Sequence, residues 1–88
     1  MNKDERLEAI TAALKSAFPD AVIKVTDESA QHVGHAGAAS GAGHFAVSVE
    51  SSVFMNQPLI KRHQMVYAAL AHMMGSDIHA LRLDTRTP

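Results

Sequence analysis

The run HFAVSVE, His44 to Glu50, alternates apolar and polar side chains at nearly every step. In an extended chain this places Phe45, Val47 and Val49 on one face and His44, Ala46, Ser48 and Glu50 on the other. Such a strand has one face to bury and one to leave wet, so the chain must build a sheet covered from a single side. With 88 residues there is room for one domain spanning 1–88 and little more. The chain has one Tyr, three Phe and no Trp, so aliphatic and methionine side chains must supply most of the cover.

The flanking segments supply the rest of the sheet and its cover. Residues 4–17 carry Leu7, Ile10 and Leu14 at helical spacing, with acidic residues early and Lys15 late, and Pro19 ends the run. AVIKVT, Ala21–Thr26, is β-branched and reads as a strand with Ile23 and Val25 inward. Its connection to HFAVSVE is longer than a tight hairpin, but an antiparallel pair is the simplest arrangement. Ser51–Gln57 reads as a turn or short helical piece around Phe54. Pro58 then opens PLIKRHQMVYAALAHMM, in which Leu59, Val66, Leu70 and Met73 form a stripe and Gly75 ends the helix. IHALRL, Ile78–Leu83, is a third strand before a polar end, DTRTP. A helical crossover permits it to run parallel to the second strand. The predicted fold is α+β with element order α-β-β-α-α-β: a three-stranded mixed sheet with helices packed on one face.

Composition narrows the chemistry. There is no cysteine, so any metal must be held by imidazole or carboxylate and any nucleophile must be Ser or Thr. The net charge of −1 favours neither a polyanion-binding arm nor an acidic tail. No run is long and apolar enough to span a bilayer, and the expectation is a soluble, cytoplasmic protein. Nucleophile-elbow, phosphate-loop and dinucleotide patterns are all absent, which argues against an enzyme.

Six histidines remain, three of them in DESAQHVGHAGAASGAGHF, Asp27–Phe45. His32 and His35 are spaced H-x-x-H in a connecting segment, where spacing fixes no geometry. From spacing alone they read first as solvated imidazoles; the competing reading makes them, with His44, ligands to a single ion. His79 has the parity of Leu81 and Leu83, which places it at the edge of the buried face. His63 falls on the stripe of the long helix and reads as structural; His72 reads as solvated. GHAG, Gly34–Gly37, matches the G-x-x-G of KH nucleic-acid-binding domains, and the element order matches as well. A KH loop joins two helices, however, whereas GHAG lies between two strands, so the match is coincidental. Lys61 and Arg62 are the one basic pair near a helix start.

Taken together, TDES, HFAVSVESSVF, the RH of LIKRHQMVYAAL, and IHALRL followed by TRTP resemble the BolA family over nearly the whole chain. The resemblance implies a KH-like fold without the phosphate-clamping loop and a non-enzymatic adaptor that pairs with a monothiol glutaredoxin. The heterodimer would share a bridging [2Fe-2S] cluster held also by glutaredoxin and glutathione thiolates, in iron-sulfur assembly, transfer or iron homeostasis. Carried onto this chain, the strand ligand is His79 and the loop ligand is His32, with His35 its competitor. His44 orders the loop. The isolated chain is expected to bind no cluster and to be a monomer or weak homodimer. The alternative implied by the family is a nucleic-acid-binding regulator of transcription, stress response and morphology, with weak DNA contact through Lys61 and Arg62.

Overall fold

The computed structural model describes residues 2–29 and 43–88. Helix α1 spans Lys3–Ala17. It starts one residue earlier than the hydrophobic pattern indicates, because Asn2 and Glu5 form a reciprocal cap. The Asn2 side chain accepts from the Glu5 N–H at 2.8 Å, and the Glu5 carboxylate accepts from the Asn2 N–H at 3.1 Å. Ile10 and Leu14 are fully buried, and Phe18 follows them into the core, its ring 5.5 Å from that of Phe54.

Strand β1, Val22–Asp27, pairs antiparallel with β2, Gly43–Glu50. Strand β3, Ile78–Arg86, lies parallel to β2 on its other side, so the sheet order is β1-β2-β3. Phe45, Val47 and Val49 are buried as the alternation requires, while Lys24 and Thr26 of β1 are exposed. β3 is three residues longer than IHALRL: Asp84, Thr85 and Arg86 continue the ladder opposite Ser48, Val49 and Glu50. The polar composition of that segment hides a strand because only Thr85 points inward, where it is 8% exposed.

The crossover between β2 and β3 is more broken than its hydrophobic stripe suggests. A 3₁₀ turn, Ser52–Phe54, buries Phe54. Pro58 is then the N-cap of helix α2, Leu59–Ala69, instead of its first residue. α2 stops well before Gly75: the Leu70 N–H is shared between the Val66 and Tyr67 carbonyls at 3.2 Å each, and a 3₁₀ turn, Ala71–Met73, follows. Met73, at the end of that turn, lies in the core, only 2% exposed. Gly75, at φ +86°, makes the turn into β3, a backbone conformation that glycine tolerates best. Leu59 is 60% exposed and does not belong to the stripe; half-buried Arg62 occupies that end of it, donating from Nε to the Gln57 carbonyl at 2.8 Å. The buried side chains of α1, α2 and the inward face of the sheet form a single core, and among the described residues no helix packs on the other sheet face.

Candidate functional site

The uncovered face is a shallow polar concavity of about 400 Å³, floored by Ala46 and Ser48 and walled by Lys24, Arg82, Asp84 and Arg86. Short side chains on the central strand produce the hollow, and longer ones on the two edge strands produce its walls. Arg86 donates to Asp84 from Nε at 2.9 Å. Arg82 reaches across β2 to Glu28, donating from both Nε and Nη2 to the two carboxylate oxygens. Those hydrogen bonds, and then the charge of Glu28, raise the guanidinium pKa above its ordinary value.

Glu28 belongs to the DES run, Asp27–Ser29, and each of its residues has a distinct task at one end of the sheet. Asp27 accepts from the Ser29 N–H at 2.8 Å, closing a tight Asx-type turn. Ser29 Oγ in turn accepts from the His44 N–H at 3.1 Å, and the Glu28 N–H donates to the His44 carbonyl at 2.7 Å. His44 is thus pinned through both sides of its backbone. Its parity directs it to the uncovered face, as alternation requires, yet it is not solvated: the residue is 9% exposed.

Part of its cover is His79. The two imidazole centroids lie 5.0 Å apart with the rings tilted by 47°. Strand parity does not lead to this contact. Gly43 pairs with Ile78 but His44 pairs with Ala80, so His79 is an extra residue in β3, a bulge in a parallel ladder. The bulge lets Ile78 be fully buried while His79 is released from the buried-face parity of Leu81 and Leu83 and is exposed. The expectation that His79 shares the parity of Leu81 and Leu83 is corrected accordingly, while its exposure agrees with a position at the edge of the core.

His32 and His35, with the GHAG stretch, lie outside the described residues. The described ends of that segment are both close to the histidine pair. Ser29 holds His44, and the Gly43 N–H donates to the Asp77 carbonyl at 3.0 Å, two residues before His79. Among the described residues no group of three or more His, Cys, Asp or Glu is placed to hold a metal ion. His44 and His79 are two imidazoles in contact, and by themselves they fall short of a metal-holding group. His63 is half-buried on α2 and His72 is exposed, both remote in sequence from the DES run. Of the basic pair, Lys61 is exposed, whereas the Arg62 side chain is engaged with the backbone before its own helix. Among the described residues no helix is long and apolar enough to cross a membrane.

The contact between His44 and His79 was not legible from periodicity, since it depends on one inserted residue. The DES run gave a usable signal, as its short polar side chains are those that bond to nearby backbone.

A family model described as BolA-like protein matches residues 14–88. BolA-like protein 1 of Homo sapiens is 39% identical over 80 residues, a stretch covering 91% of this chain and 56% of the human protein. The DNA-binding transcriptional regulator BolA of Escherichia coli is 38% identical over 80 residues, covering 91% of this chain and 73% of that protein. Among solved structures, the BolA domain of SufE1 from Arabidopsis thaliana superposes with a TM-score of 0.81 at 29% identity, covering 100% of this chain and 95% of that one.

Proposed function

This chain belongs to the BolA family, and from that premise we propose that it is a non-enzymatic adaptor that binds a monothiol glutaredoxin and shares a bridging [2Fe-2S] cluster with it. The observation that carries the reading is the placement of His79: exposed, on a strand bulge, backed by a buried imidazole, at the sheet end that holds Ser29 and Gly43. A surface-facing imidazole on a rigid strand is a ligand that a second protein's thiolates can meet. The second donor from this chain is His32, with His35 its competitor. The DES run anchors the start of the segment that carries them.

The cluster is cargo in this scheme, and imidazole in place of thiolate makes its iron less negatively charged and raises its potential. This chain's part is to present nitrogen donors and to keep them oriented, while cysteine thiolates come from glutaredoxin and glutathione. To test it, the protein is mixed with a monothiol glutaredoxin, glutathione, iron and sulfide, and visible absorption and circular dichroism are recorded. The expected spectrum differs from that of the glutaredoxin homodimer, is lost on His79→Ala and is weakened by His32→Ala. An unchanged spectrum with His79→Ala would overturn the ligand assignment.

A second reading, a nucleic-acid-binding regulator, is favoured by the similarity to the DNA-binding transcriptional regulator of Escherichia coli. The net charge of −1 and the engagement of Arg62 with Gln57 leave Lys61 as the freer member of the basic pair. This reading expects duplex DNA affinity to fall with added salt and to weaken on Lys61→Ala. A salt-independent signal would remove it.

A further inference from the structure

We propose that His44 is the positioning residue for His79: a buried, backbone-anchored imidazole that fixes the direction of the exposed one. This deepens the adaptor reading and rests on it for its purpose, although the geometry stands by itself. An exposed side chain on a bulge would ordinarily lose little by sampling several rotamers, and ordering it costs conformational entropy. His79 has a flat partner 5.0 Å away that is itself held in place. The Ser29 hydroxyl holds the His44 N–H and the Glu28 N–H holds its carbonyl, so backbone movement at His44 would break two long-range hydrogen bonds. Glu28 is tied further to Arg82 on the far strand.

The chain of restraint therefore runs from β3 through Arg82 and Glu28 to His44, and returns to β3 at His79. Both ends of this circuit are on the strand that carries the proposed ligand. A histidine restrained in this way is pre-oriented before a partner arrives, which lowers the ordering cost of binding. The expectation for His44 from the sequence is an ordering role in the segment before it; the contact with His79 adds a role toward the ligand strand.

The test separates a bearing surface from a ligand by replacing the ring without its nitrogens. In the free chain, NMR should show ring-to-ring contacts between His44 and His79 and a single set of χ1 couplings for His79. His44→Ala should average those couplings, and His44→Phe should retain them. In the glutaredoxin mixture, the heterocomplex circular dichroism band should be lost or weakened in His44→Ala and restored in His44→Phe. Amide spectra report the fold of each variant; should His44→Ala unfold, His44→Leu fills the space without a flat ring and takes its place. Averaged His79 couplings in the wild type would overturn the proposal. So would a His44→Phe protein that keeps the His79 couplings yet loses the band, since His44 would then act as a ligand. If the wild type forms no shared cluster, the adaptor reading fails while the free-chain couplings still decide the positioning role.

Discussion

His79 owes its exposure to one unpaired step in β3, and the residues around that step leave little room for change. Gly43, opposite Ile78, is the clearest case. A Cβ there would lie 2.5 Å from Cε2 and 2.6 Å from Cζ of Phe45, and 3.2 Å from Ser29 Oγ. The Phe45 ring is buried and cannot swing away without opening the core. Gly43→Ala is therefore expected to destabilise the protein by about 1–3 kcal/mol in urea denaturation, an overpacking cost, and to shift the His44 amide resonance. Wild-type stability in that variant would show that the Phe45 ring yields to the added methyl without cost. From the sequence, Gly43 reads only as the last glycine of a small-residue stretch. Its requirement comes from a ring two residues ahead on the same face, which parity identifies but whose closeness it does not.

The elements themselves were legible where periodicity is strong and were misjudged at their ends. β2 and the core of α1 follow their patterns because burial on one face is the pattern. The start of α1 is set by the Asn2–Glu5 reciprocal cap, a signal present in the sequence ahead of the apolar repeat. Asn2→Ala should cost about 1 kcal/mol of stability, read as a loss in thermal or urea midpoint, with Glu5→Ala affecting the same cap. The end of α2 is different in kind. Nothing in YAALAHMM forbids a continuous helix, yet a 3₁₀ turn follows Ala69 while Leu70 and Met73 both remain in the core. Leu70 is fully buried, so Leu70→Ala should cost about 2–5 kcal/mol, the range for truncating a core leucine. A cost near that of an exposed position would mean that the break is not anchored by Leu70.

Across the whole molecule, the first turn is tied to the crossover by Asp20, which accepts from Ser51 Oγ at 3.0 Å and Ser52 Oγ at 2.7 Å. These side-chain hydrogen bonds, Ser52 first and then Ser51, favour the ionised carboxyl and lower its pKa from the ordinary value. A depressed carboxyl contributes stability that is present above its unfolded pKa and is lost as pH falls through its folded value. Asp20→Asn should thus lower the melting temperature at neutral pH, and the gap from wild type should close in acid; a gap independent of pH would assign the effect to something other than this charge. The sequence by itself determined the α+β class, the strand faces and the presence of a histidine on the last strand, because alternation and helical period encode which side chains leave water. It also carried the family resemblance, in short motifs recognised by their order and spacing along the chain. Only the tertiary structure decided that His79 leaves the buried face, that it meets His44, and that the DES run ties the His44 backbone to Arg82. Those outcomes depend on register between strands distant in sequence, and a single inserted residue in a ladder reverses parity without altering the local pattern.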